Sequence, residues 1–339
     1  MLQKDVEQLH FTGSCHGHNL NNMMQHSVEA FDSDMKHALV DLYQDLGGAK
    51  GRGLKKKKQF EDSCHSRGHI PEPFVKFISV RFRSIRTCIK PVLHNFDELV
   101  HFYSEIKKNI KKPTERQERL IAYFVDREHM TKLKLQYIFS VTMKTTQMID
   151  YFEHRGVNIH NAADIIEEIL VNQMRNILDE SEFTTFDDET NEVSNKSRKK
   201  LIEIDPSKAK KLARYRIFIG TDTVSEIRSQ GLSRESKKLD WFFESVTKYS
   251  VTAIQYLQKY FSAPLRSSVM ECFSALGQKK QSHVFTAEKL KKLVDKYSKI
   301  IENIDSLEGM DKIKNEIDEY QTDLDIKEYG GNGVRRVLA

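Results

Sequence analysis

Two pairs of soft metal donors and one run of lysines are the residues here whose types and spacing could do chemistry. Cys15 and His18 lie three apart, a separation that turns both side chains toward one point when the segment is helical. Cys64 and His69 make a second pair, and His16, Cys88 and His94 are further donors. Thiolates and imidazoles in sets of four hold zinc tetrahedrally, although neither spacing is a zinc signature by itself. The alternative is a structural thiol beside a polar loop histidine. Lys55, Lys56, Lys57 and Lys58 follow Gly51-Arg52-Gly53-Leu54 and read as a flexible basic loop. Such a loop contacts phosphates or is simply solvated. Arg81 and Arg83, on alternate positions of a strand-like stretch, join the lysines as candidate nucleic-acid contacts. Trp241, the single tryptophan, suits a core or surface-aromatic role better than base stacking. The sequence contains no Walker-type loop, no GxGxxG, no GxSxG and no HExxH.

The elements that must position these groups are mostly helical. Residues 78–83, Ile-Ser-Val-Arg-Phe-Arg, alternate apolar and polar as a half-buried strand does. A helix face follows in Ile89, Val92, Leu93, Phe96, Leu99, Val100, Tyr103 and Ile106, with Pro91 tolerated in a first turn. Before the strand, Leu20, Met24, Val28, Phe31, Met35, Leu39, Leu42 and Leu46 mark one amphipathic helix stopped by Gly47-Gly48. After it, Thr114 and Gln117 form a capping box, and apolar positions run from Leu120 to Phe152 with a break near Arg127–His129. Asn161 is expected to cap a helix ending near Ile177. Residues 179–195 are polar and acidic, too poor in apolar side chains to offset the entropy of ordering, and basic runs follow. This acidic-then-basic stretch suits an insertion point. Helices are expected at 207–219, 234–261, 265–276, 286–304 and 312–324, with a brief strand at 283–285 and a frayed glycine-rich tail.

Composition sets the outer bounds. The chain has 339 residues, room for two ordinary domains or one domain with a large insertion. Charged residues make up 30%, mean hydropathy is −0.57, and no apolar run is long enough to cross a bilayer. Met1-Leu2-Gln3-Lys4-Asp5 opens without the apolar core of a secretory signal. Four scattered cysteines suit reduced thiols. A nuclear or cytoplasmic protein, not a secreted one, is the expectation. A net charge of +5 permits nucleic-acid binding without demanding it.

The order of these features resembles one family. Cys15-His16-Gly17-His18-Asn19-Leu20-Asn21, leading a helix, is similar to the C-x-x-H-x-L-N segment of hAT-type DNA transposases. Residues 79–84 and the helix from Val92 to Leu99 resemble that family's T-R-W-x-S segment and its following helix, with Phe82 standing where the family has tryptophan. Glu316-Ile317-Asp318-Glu319-Tyr320 looks like the family's late E-L-x-x-Y pattern and makes Glu316 the catalytic carboxylate that the resemblance implies. In such enzymes two aspartates and a glutamate hold two Mg²⁺ or Mn²⁺ ions that activate water or a 3′-hydroxyl.

The resemblance also implies what is lacking. The family's aspartates precede the Cys-x-x-His segment, whereas fourteen residues precede Cys15 here, with Asp5 their only aspartate. The expected protein is therefore truncated or domesticated, binding DNA, a second copy or another transposase-like chain without cutting DNA. Zinc on Cys15 and His18 is the other cofactor expectation. No membrane partner is expected.

The expected fold is mainly α, a partial RNase H-like α/β layer carrying a large all-helical insertion. Residues 1–112 hold the partial layer, 113–280 the insertion with a disordered acidic loop at 179–206, 281–326 the return, and 327–339 a flexible tail. A helical scaffold or interaction protein unrelated to nucleic acid is the alternative.

Overall fold

Phe31, Tyr137, Phe242 and Tyr249 meet at the centre of the computed structural model, which describes residues 16–48, 52–78, 84–153, 159–187 and 192–262. Their rings stack edge-on or tilted, with centroids 5.0 Å apart for Phe31–Tyr137, 5.9 Å for Tyr137–Phe242 and 5.6 Å for Tyr137–Tyr249. Such pairs add to the area they bury. They come from three helices packed together: α1 (His16–Phe31), α7 (Glu128–Glu153) and α11 (Asp240–Tyr260). The intervening chain supplies α2 (Ser33–Leu46), α3 (Arg52–Ser66), α4 (Ser84–His94), α5 (Phe96–Asn109) and α6 (Glu115–Ile121). After α7 come α8 (Ile159–Arg175), a hairpin of β1 (Thr184–Asp187) and β2 (Glu192–Asn195), α9 (Arg198–Glu203) and α10 (Thr221–Ser229). The described fold is mainly helical, and none of its helices is long and apolar enough to cross a membrane.

Several expected helices are split, each by a polar residue that turns inward. The apolar stripe from Leu20 to Leu46 is interrupted at Asp32, which is extended (φ −154°) and accepts the Asp34 N–H at 3.1 Å as the N-cap of α2. The run from Ile89 to Ile106 divides at Asn95, which is wholly buried. Its Oδ1 accepts the Glu72 N–H at 3.1 Å and pairs with His69 Nε2 at 3.0 Å, and its Nδ2 donates to the Glu72 carbonyl at 2.7 Å. Pro91 therefore sits inside α4 rather than in a first turn. The Thr114–Gln117 capping box forms as the spacing predicts. The break expected near Arg127 is a π-turn over Ala122–Asp126, whose freed carbonyls are taken up by Thr131 Oγ1 on Tyr123 O (2.5 Å) and Arg127 Nε on Ala122 O (3.1 Å). Asn161 lies inside α8, which starts at Ile159.

Four other expectations change. Residues 55–58 are the first turns of α3, not a loop. The acidic stretch at 179–206 is largely ordered, as a 3₁₀ turn capped by Asp179, the two-stranded hairpin and α9. Its composition misleads because a few side chains anchor it: Phe183, Leu201 and Ile202 are buried, and Lys196 Nζ donates to the carbonyls of Ser181 and Glu182 at 3.0 and 2.6 Å. Residues 207–219 form turns and one 3₁₀ turn at Arg214–Arg216 instead of a helix. Residues 71–78 carry no regular structure, so Ile78 does not open a strand. That segment leans on helices: the Phe74 ring is 5.6 Å from that of Phe60, and Cys88 Sγ donates to Val75 O at 3.3 Å. Residues 79–83, the strand at 283–285, the later helices and the tail lie outside the described residues.

Candidate nucleic-acid interface

A face for phosphates needs cations that are exposed and not already spent on acids. Helix α3 sorts its four lysines by this criterion. It buries Phe60 and Cys64, one turn apart. Lys56 falls on the same stripe, and its ammonium reaches Asp45 Oδ1 at 2.5 Å while its stem lies along the core edge. Lys57 pairs with Glu61 at 3.8 Å along the helix. Lys55 and Lys58, three apart on the outer face, are exposed, and neither has an acidic partner among the described residues.

Neighbouring elements bring more positive charge to this pole. Helices α3 and α5 run antiparallel: Arg67 Nε meets Glu98 Oε2 at 2.8 Å at one end, and the Phe60 and Phe102 rings lie 5.5 Å apart nearer the middle. The start of α3 therefore shares a pole with the end of α5 and the residues after it. Lys107 and Lys108 are occupied there by Asp126 (2.6 Å) and Glu105 (3.0 Å), whereas Lys111 and Lys112 are exposed.

Beneath the pole, α2 carries two buried acids that sequence reasoning passed over. Asp45 takes Lys56 and the Tyr103 hydroxyl (3.1 Å). Asp41, one turn earlier, takes Arg119 through Nε at 2.7 Å and a second guanidinium N–H at 3.1 Å, with Arg116 at 3.7 Å. At the start of the helix Asp32 takes the Tyr123 hydroxyl at 3.0 Å and Lys134 at 3.1 Å. Burial, and then the charge of the neighbouring aspartate, push the Tyr103 and Tyr123 hydroxyls well above the ordinary phenol range. These three carboxylates spend their lone pairs on lysines, arginines and phenols. The one available signal was acids at four-residue spacing beside Leu42 and Leu46, within an apolar stripe.

The sequence-derived metal pairs fare differently from the lysines. His18 is exposed in the first turn of α1, while Cys15 lies outside the described residues. Cys64 is buried, and that burial, with the nearby Glu98 charge, pushes its thiol up to about 11. It holds its proton at neutral pH. The Cys88 thiol is pushed up to about 12 by burial. His69 and His94 do meet, with ring centroids 4.9 Å apart, but they serve the Asn95 network and the Ile70 carbonyl. Among the described residues no three His, Cys, Asp or Glu side chains gather to hold a metal ion. Arg81, Phe82, Arg83 and Glu316 lie outside them. Trp241 is half-buried, its ring edge-on to Phe242 and beneath Lys134.

Compared with protein-family models, with curated proteins and with solved structures, the chain finds no match in any of the three.

Proposed function

We propose that this chain is an hAT transposase-derived protein whose helical body grips the DNA backbone without cutting it. The observation that carries the reading is the sorting of charge on α3: Lys56 and Lys57 are consumed by Asp45 and Glu61, while Lys55 and Lys58 stay exposed at the end of α3 that runs toward the exposed Lys111 and Lys112. Unpaired lysines at one pole neutralise phosphates and release counter-ions. The second half of the reading is supported by the state of the core acids. A carboxylate that grips a catalytic divalent ion needs lone pairs turned to a shared point, and Asp32, Asp41 and Asp45 have theirs committed to cations and hydroxyls.

The test is a titration of fluorescent duplex DNA with the full chain at several salt concentrations, followed by incubation with Mg²⁺ or Mn²⁺. The reading expects affinity to fall steeply with salt, a logarithmic slope of about −0.9 per phosphate contacted, and uncut DNA. Binding that ignores salt would turn the reading toward a scaffold for other proteins. Cleavage that disappears in Glu316→Gln would overturn the non-cutting half.

A further inference from the structure

Helices α7 and α8 and the segment 213–220 enclose a half-open cavity of about 340 Å³, whose lining shares no residue with the lysine pole. Met148, Ile169 and Phe218 give it apolar walls. Of the polar side chains that line it, two are buried: Thr145 at 1% exposure and Gln173 at 3%. Thr145 Oγ1 and Gln173 Oε1 have no hydrogen-bond partner within the protein. Burying an unsatisfied hydroxyl and an unsatisfied amide oxygen in one place is costly. Placed in a cavity with room for a guest, the two atoms are groups that a guest can satisfy. Lys144 and Arg175 stand exposed at the rim. Lys144 Nζ donates only to the neutral Asn172 Oδ1 at 3.2 Å, and neither cation has an acidic partner among the described residues.

Apolar walls, one buried acceptor, one buried hydroxyl and two uncommitted cations define a ligand class. We propose that this cavity binds a small amphipathic anion: an apolar body carrying an N–H or O–H donor and one carboxylate, sulfonate or phosphate group. The body covers Met148, Ile169 and Phe218, the donor meets Gln173 Oε1, and the anion meets Lys144 and Arg175. The site is independent of the lysine pole and of the DNA-binding reading.

The probe is 8-anilinonaphthalene-1-sulfonate, which has an aromatic body, an anilino N–H and a sulfonate. Its neutral counterpart, N-phenyl-1-naphthylamine, lacks the anion. The full chain is titrated with each dye, and each variant is checked for its melting temperature. Saturable one-to-one binding of the anionic dye is expected. Lys144→Ala/Arg175→Ala should weaken the anionic dye about tenfold and leave the neutral dye unchanged. Gln173→Leu should weaken both dyes several-fold without lowering the melting temperature, because it removes an unsatisfied polar group. Met148→Trp, which fills the cavity, should abolish both. Should the anionic dye bind the three variants as it binds the natural chain, or should the charge removal weaken the two dyes equally, the proposal fails. A Gln173→Leu variant that melts lower yet binds unchanged would mark the orphaned amide as structural and overturn its part in the site.

Discussion

At the scale of single residues, the body is held by buried acids and phenols as much as by apolar packing. Asp32 does three things at once: it caps α2 through the Asp34 N–H, accepts the Tyr123 hydroxyl and neutralises Lys134. Asp32→Ala removes a cap worth about 1 kcal/mol and leaves a buried hydroxyl and a half-buried cation unpartnered. The expected loss is roughly 3 kcal/mol in denaturant unfolding. Asp34→Ala, which breaks only the exposed pair with Arg127, should cost less than about 1 kcal/mol. The phenols give a pH dependence of definite sign. Burial raises Tyr103, Tyr123, Tyr137 and Tyr249 above the ordinary phenol value, so the native state keeps protons that the unfolded chain loses near pH ~10. Their stabilising contribution is complete below about pH 10 and lost as the pH rises beyond it. Ultraviolet titration of tyrosinate should show these four ionising only together with unfolding. Independent ionisation of all four in a folded chain near that pH would contradict their placement.

At the scale of elements, backbone conformation decides how the cavity wall is hung. Gly220 has φ +84°, and a Cβ there would run into the Ser140 side chain of α7. That close approach lays the segment 213–220 against α7 and sets Phe218 at the cavity edge. Gly220→Ala should cost about 2–3 kcal/mol, combining left-handed strain with the collision. Gly231, at φ +67° with nothing near its missing Cβ, should cost only about 1 kcal/mol on the same change. Chemical denaturation of the two variants side by side measures the difference.

Elements were legible in the sequence where apolar periodicity alone set them. The stripe through Leu20 and Val28 and the Thr114–Gln117 box stand as a helix and a cap, and the helix expected at 234–261 stands as a 3₁₀ turn at Lys237–Leu239 leading into α11. Helices ended differently wherever a buried polar side chain did the cutting, as at Asp32 and Asn95, because periodicity carries no information about long-range hydrogen bonds. The stretch at 179–206 looked too polar to order, since Phe183, Leu201 and Ile202 are few in number and their burial depends on distant partners. Lys55–Lys58 were legible as a basic run and not as a helix. Which of them are free depends on Asp45 and Glu61, and only the folded arrangement shows that. Thr145 and Gln173 gave no signal at all, being ordinary polar residues until α7 and α8 bury them.

At the scale of the whole molecule, positive charge is distributed unevenly by use rather than by number. Many of the described cations are tied down in ion pairs, as Arg119, Arg198 and Lys134 are. The pole built from the start of α3 and the end of α5 keeps Lys55, Lys58, Lys111 and Lys112 exposed. On α9, Lys199 and Lys200 offer the same two charges at a different place. The salt dependence of duplex DNA binding, compared between Lys55→Ala/Lys58→Ala and Lys199→Ala/Lys200→Ala, tests the account most directly. The α3 pair should reduce the logarithmic salt slope by about 1.8, two contacts at about 0.9 each, with the melting temperature unchanged, while the α9 pair leaves the slope as it is. Equal slopes in the natural chain and the α3 double variant would contradict it.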